Sequence, residues 1–170
     1  GIILAASNNN VTNSTGTTNT SQALFISSCS YNNIVNFSGT SNTNGGIRVI
    51  GNYNNITNST ATSNTSWAFV VVVSSNTIIT NSTGISNLGI GIYVSQSTKQ
   101  SLINSTGRNL VSGAIGYGIQ ILTGSNNTYV KGMLAFDGET LREAALEIER
   151  QTGVHFEFAD PSIGDLRIGG

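Results

Sequence analysis

The sequence predicts a mainly β protein: a right-handed parallel β-helix of about six 22–23-residue coils over residues 1–131, then a short βαββ segment over residues 132–170. Three observations carry this. First, Asn13, Asn36, Asn58, Asn81 and Asn104 are separated by 23, 22, 23 and 23 residues, four of them opening an Asn-Ser-Thr triplet and Asn36 an Asn-Phe-Ser variant. Second, apolar residues fall into columns at the same period. Third, all eight acidic residues lie between Asp137 and Asp165, so the charge changes sharply near Lys131–Gly132.

The columns define the coil. Ile2, Leu24, Ile47, Phe69, Ile92 and Ile119 form one; Leu4, Ile26, Val49, Val71, Val94 and Ile121 a second; Val11, Ile34, Ile56, Ile79, Leu102 and Tyr129 a third. The first two lie two residues apart in each coil, so they share one face of a strand. Stacking coils at about 4.8 Å turns each column into an inward ladder filling a narrow core. A small column, Gly16, Gly39, Ala61, Gly84 and Gly107, belongs where the cross-section is tight. The Asn column marks a turn, because Asn tolerates left-handed backbone and its amide bonds neighbouring peptides or the next Asn along the axis. A parallel coil is a string of crossovers, which sets the right hand. The last coil carries four extra residues around Val111–Gly116, read as a bulged loop. A leucine-rich repeat has a similar period but needs a Leu framework, and these columns are Ile and Val.

Beyond Gly132 the pattern changes. Met133–Phe136 reads as a strand and Asp137-Gly138 as a turn. Thr140 and Glu143 form a capping box, and Leu141, Ala144, Ala145 and Ile148 follow at helical spacing. Gly153 ends the helix. Val154, Phe156 and Phe158 alternate as a strand, Asp160-Pro161 turns, and Leu166–Ile168 is a short strand.

Two stretches resemble known families. Asn54-Asn55-Ile56-Thr57-Asn58-Ser59-Thr60 and Gly91-Ile92-Tyr93-Val94-Ser95 look like the right-handed β-helix repeats of NosD-like and pectate-lyase-like surface proteins. That fold hosts lyases, hydrolases, adhesins and passive scaffolds. Phe136-Asp137-Gly138-Glu139-Thr140-Leu141-Arg142-Glu143-Ala144-Ala145 and Ala159-Asp160-Pro161-Ser162-Ile163-Gly164-Asp165-Leu166-Arg167-Ile168-Gly169-Gly170 resemble the first half of the domain at the N-termini of secretins and TonB-dependent receptors (STN), and the C-terminal region of FecR-type envelope regulators. The second resemblance implies contact with periplasmic partner proteins rather than catalysis. The pairing of the two pieces reads as a fragment, a fusion or an artificial chain. Gly1 opens inside a repeat, and no signal peptide is seen.

Composition narrows the chemistry. Charged residues are 9% of the chain, against roughly a quarter in an ordinary globular protein. The 38% apolar share is periodic, which argues against disorder. Residues 1–131 carry Arg48, Lys99, Arg108 and Lys131 and no Asp, Glu or His; residues 132–170 carry a net charge of −5, eight acids against Arg142, Arg150 and Arg167. Four dispersed cations are too dilute for nucleic acid. Glycoside hydrolysis needs paired carboxylates, Ca²⁺ needs oxygen ligands that usually include carboxylates, and copper favours His, Cys or Met. The solenoid is therefore expected to hold no catalytic, cofactor or metal site. Cys29, the lone cysteine, reads as a small filler near a turn, and His155 as a solvated strand residue. The longest apolar run, Trp67–Val73, is far short of the roughly 20 residues of a membrane helix.

The candidate ligand face is polar. Thr15-Gly16-Thr17, Ser38-Gly39-Thr40 and Thr60-Ala61-Thr62 repeat on successive coils, so Thr15, Ser38 and Thr60, and Thr17, Thr40 and Thr62, should form two outward rows. Tyr31 and Tyr53, 22 apart, should stack and offer a face to a sugar ring. The plain alternative is that Thr favours strands and solubilises this face. Asn-X-Ser/Thr sequons at the repeat Asn residues fit a glycosylated surface protein and also arise from the repeat alone. The function expected is a non-enzymatic cell-surface or secreted scaffold or adhesin that binds surface glycans, as a monomer or as uncapped coils stacked end to end. Three alternatives stay open: a FecR-like periplasmic signalling protein acting with envelope proteins, a fragment of a polysaccharide-active enzyme, and an ice-binding solenoid.

Overall fold

In the computed structural model, which describes residues 1–110, 117–122, 125, 129–131, 140–152, 158 and 160–166, the chain divides into two compact units, Gly1–Met133 and Leu134–Gly170. The first unit is the β-helix that the columns predict. Its strands run, coil by coil, β1 (Ile2–Leu4), β2 (Asn10–Thr12), β3 (Thr15–Thr18); β4 (Leu24–Ser27), β5 (Asn33–Val35), β6 (Ser38–Ser41); β7 (Ile47–Ile50), β8 (Asn55–Thr57), β9 (Thr60–Ser63); β10 (Phe69–Val72), β11 (Ile78–Thr80), β12 (Thr83–Ser86); β13 (Ile92–Ser95), β14 (Ser101–Ile103), β15 (Thr106–Asn109); then β16 (Ile119–Ile121) and β17 (Tyr129–Lys131). Every third strand pairs in parallel. A first sheet is ordered β1-β4-β7-β10-β13-β16, a second β2-β5-β8-β11-β14-β17, and a third β3-β6-β9-β12-β15.

The pairing register is the sequence alignment of the repeats. Ile2, Leu24, Ile47, Phe69, Ile92 and Ile119 lie opposite one another, as do Val11, Ile34, Ile56, Ile79 and Leu102. Leu24, Ile26, Ile34, Ile47, Val49, Ile56, Phe69 and Ile92 are fully buried and form the core. Each such side chain contributes roughly 1.5–3 kcal/mol on leaving water. One assignment is corrected: Leu102 pairs with Val130, and Tyr129 lies opposite Ser101. The last coil is one residue longer before its second strand than the repeat columns allow for. The expected bulge at Val111–Gly116 lies outside the described residues.

The turns follow from left-handed backbone. Asn13, Asn36, Asn58, Asn81 and Asn104 have φ of 48°, 54°, 50°, 48° and 48°. The next residue points its side chain inward: the hydroxyls of Ser59, Ser82 and Ser105 accept from the backbone N–H groups of Phe37, Ser59 and Ser82 in the coil before. This is why the triplet reads Asn-Ser-Thr: the first residue turns, the second satisfies a buried peptide, and the third begins a strand. Cys29 takes a comparable inward position and is 5% exposed. Its thiol donates to the Leu4 carbonyl at 3.1 Å.

A second polar ladder runs through the interior. Asn54 Oδ1 accepts from both the backbone N and the side-chain Nδ2 of Asn32, each at 3.0 Å, and Asn32 Oδ1 does the same for Asn9. Asn54 Nδ2 donates to the Cys29 carbonyl. Asn54→Leu, similar in shape, strands two donors of Asn32 and one carbonyl. Leaving buried polar groups unpaired costs about 1–3 kcal/mol each, so a clear drop in the thermal midpoint is expected. An unchanged midpoint would mean that water replaces the ladder.

In the second unit, α1 (Leu141–Thr152) starts on the expected capping box: Thr140 N–H donates to Glu143 Oε2 at 2.8 Å, and Glu143 N–H to Thr140 Oγ1 at 3.2 Å. Ala144 and Ala145 are buried. The Asp160-Pro161 turn is instead the start of a 3-10 helix, Pro161–Asp165, capped by Asp160, whose carboxylate accepts from the Ser162 hydroxyl and N–H. These two bonds, the hydroxyl's first, hold the Asp160 carboxyl below the ordinary aspartate range. Arg142 ties the helices, donating to the Pro161 carbonyl at 2.9 Å and lying 3.6 Å from Asp165. The expected strand Met133–Phe136, the Asp137-Gly138 turn, Gly153, His155, most of the Val154–Phe158 strand and Arg167-Ile168 lie outside the described residues.

Candidate functional site

The third sheet sets out the candidate face. Its inward positions are Gly16, Gly39, Ala61, Gly84 and Gly107, so their neighbours on each strand must point outward. Thr15, Ser38 and Thr60 stand in one row, and Thr17, Thr40 and Thr62 in the next. Thr15, Thr17, Ser38 and Thr40 are exposed, whereas Thr60 and Thr62 are half-buried. Row one continues through Thr83 and Thr106; row two changes to Ile85 and Arg108.

Beside these rows runs a ladder in a further asparagine column, outside the apolar and turn columns. Asn42 Nδ2 donates to Asn19 Oδ1 at 3.1 Å, Asn64 to Asn42 at 2.9 Å and Asn87 to Asn64 at 2.6 Å. Thr43 and Thr65 hydroxyls donate to the Asn19 and Asn42 carbonyls of the preceding coil. The signal was present, since Asn19, Asn42, Asn64 and Asn87 recur at 23, 22 and 23 residues. Together Thr17, Thr40, Thr62, Asn19, Asn42 and Asn64 line an open trough of about 480 Å³. Its groups are neutral hydroxyls and amides, and the ladder fixes the orientation of the amides.

Tyr31 and Tyr53 lie elsewhere, on the turn between the first and second sheets. Their rings stack at 5.0 Å between centroids and 2° from parallel, and remain 59% and 49% exposed. Both have positive φ, 59° and 54°, in a turn column that Asn8, Asn76 and Lys99 otherwise fill. Bulky residues are rare there, and such backbone costs about 1–3 kcal/mol. The structure therefore does not bring all eight predicted residues together: six form the Thr/Ser rows, and the two tyrosines form a separate platform.

A third cluster was not foreseen. On the outer face of the first sheet, Phe25, Arg48, Val70 and Tyr93 follow one another in register. Trp67 stacks on Tyr93 at 4.1 Å, and the Arg48 guanidinium lies 5.6 Å from the centre of the Phe25 ring. Val70 points outward yet is only 6% exposed. Trp67 precedes its strand, so no column flagged it.

Among the described residues, no three His, Cys, Asp or Glu side chains gather as a metal site, and no helix is long and apolar enough to cross a membrane. The chain matches no protein-family model, curated protein or solved structure. The fold itself is a parallel β-solenoid. The NosD-like, pectate-lyase-like and FecR-type resemblances rest on the quoted motifs alone.

Proposed function

We propose that the solenoid is a non-enzymatic cell-surface or secreted scaffold that binds an extended, neutral glycan along the Thr/Ser rows of its third sheet. The observation that carries this reading is the trough in which the Thr17, Thr40 and Thr62 row runs beside the Asn19–Asn87 amide ladder, with the Thr15, Ser38 and Thr60 row two residues away on the same strands. Its donors and acceptors repeat about every 4.8 Å along the axis, comparable with one sugar residue of an extended chain. Uncharged partners suit a face without carboxylates, because burying neutral hydroxyls against amides carries no ionic desolvation cost. The stacked tyrosines offer a second, apolar contact for a sugar ring. The same rows also favour ice as a ligand, but the trough gives the face relief where an ice plane is flat.

The test is binding of soluble glucose and N-acetylglucosamine oligomers, and pull-down on cellulose and chitin, with the wild type, Thr40→Lys and Tyr31→Ala/Tyr53→Ala. Thr40 is exposed, so Thr40→Lys should keep its fold by circular dichroism and lose binding on the order of tenfold, about 1.4 kcal/mol. Thermal hysteresis present in the wild type and absent in Thr40→Lys would replace glycan with ice. Wild-type-like glycan binding by Thr40→Lys would remove the trough as the site.

A further inference from the structure

We infer that Asn44 is an autocatalytic modification site, at which the fold drives conversion of the Asn44 side chain to a cyclic imide and then to aspartate or isoaspartate. Asn44-Gly45 is the only Asn-Gly pair among the 22 asparagines of the chain. Glycine after asparagine leaves its backbone nitrogen unshielded by a side chain. The second observation is geometric. Gly45 N–H donates to Asn44 Oδ1 at 3.1 Å, folding the side chain back over the nitrogen that must attack it.

The other repeat asparagines are arranged differently. The N–H after Asn36, Asn58 and Asn81 is held by a serine hydroxyl of the next coil, through Ser59, Ser82 and Ser105. Only conformers with reacting atoms in near-contact close the ring, so this difference in geometry should appear as a difference in rate. A second donor completes the site: Gln22 Nε2, from the preceding coil, bonds the same Asn44 Oδ1 at 3.1 Å. It polarises the carbonyl and remains in place to hold the oxyanion.

The step balances with water as the only co-reactant. Hydroxide removes the Gly45 N–H proton, and the nitrogen forms a bond to Asn44 Cγ. The side-chain nitrogen takes a proton from water and leaves as ammonia. Water then opens the imide at either carbonyl, giving aspartate or isoaspartate, and no electrons change hands. The product would be the first carboxylate within residues 1–131. The isoaspartate form would lengthen the backbone at a turn whose Asn44 carbonyl accepts from Ser63 Oγ at 2.7 Å.

The experiment is incubation of the full chain at mildly alkaline pH, with cleavage after Arg48 and mass analysis of residues 1–48. A synthetic peptide of residues 39–50 is followed in parallel. The expected result has three parts. Asn44 converts on the order of tenfold faster than Asn36 in the same fragment. Its rate in the folded chain equals or exceeds that in the peptide. Gln22→Met slows the folded chain several-fold while circular dichroism stays unchanged. Gly45→Ala serves as a site control: an added Cβ comes no closer than 3.3 Å, to the Trp67 carbonyl, so the fold should hold while the reaction stops. A folded chain slower than the peptide would show that the solenoid protects Asn44, and an unaltered rate in Gln22→Met would remove the activating donor. Either result overturns the inference.

Discussion

Ile56→Asp should unfold several coils of the solenoid. Ile56 is fully buried on β8, between Ile34 of β5 and Ile79 of β11. The column offers no cation nearby: none of Arg48, Lys99 and Arg108 points inward. An unpaired buried carboxylate costs several kcal/mol, comparable to the whole margin of a folded domain. In a stacked array each coil is held mainly by its neighbours, so the damage spreads to the adjacent coils first. The buried aspartate would have a raised folded-state pKa. Its penalty is then largest above that pKa and shrinks as pH falls through it. Thermal melts followed by circular dichroism at neutral and acid pH would show a collapsed midpoint that partly recovers in acid. A wild-type-like melt would mean that the column does not face inward.

Gly84→Val is expected to be almost as damaging, for a steric reason. A Cβ added at Gly84 would run into the carbonyl oxygen of Gly91, with Gly91 C at 2.8 Å and Ile92 Cγ1 at 3.1 Å. The obstacle is backbone, which cannot rotate away as a side chain can. Overpacking of this kind costs about 1–3 kcal/mol for modest insertions, and a branched side chain against a peptide lies at or above the top of that range. Gly84→Ala should fall within it. Hydrogen exchange should show the loss of protection centred on β12 and β13. Equal stability of Gly84→Val and the wild type would mean that the coil is wider here than the contacts indicate.

The glycine column also shows where reading by period stops. From the repeats alone, Gly84 and Ala61 look interchangeable, since both are small and both face inward. Tertiary packing distinguishes them. Facing Gly16, Gly39, Ala61, Gly84 and Gly107 across the pinch lies a second small series, Ala23, Gly46, Ala68, Gly91 and Gly118, one residue before the first sheet's apolar column. At coil three, Ala61 and Ala68 both carry a methyl group and are both fully buried, whereas at coil four two glycines bring backbone against backbone. Which coil is wide and which is narrow depends on the shape of the cross-section, and no single column records that.

What the sequence by itself determined is everything that acts along the solenoid axis. Like residues of successive coils stack at one strand spacing, so a 22–23-residue period becomes a set of spatial rows. The stacked coils, the apolar ladders, the left-handed Asn turns, the Thr/Ser rows and the Tyr31–Tyr53 stack were all legible for that reason. The Thr140–Glu143 capping box was legible because it is local. What only the tertiary structure decided acts across the axis or departs from the period. Val130 rather than Tyr129 closes the third column, because the last coil is one residue longer before its second strand. Trp67 finds Tyr93 from outside any strand. The Asp160-Pro161 turn closes into a helix under the grip of Arg142. Such contacts depend on the path of the turns and the width of the core, which a period along one axis does not encode.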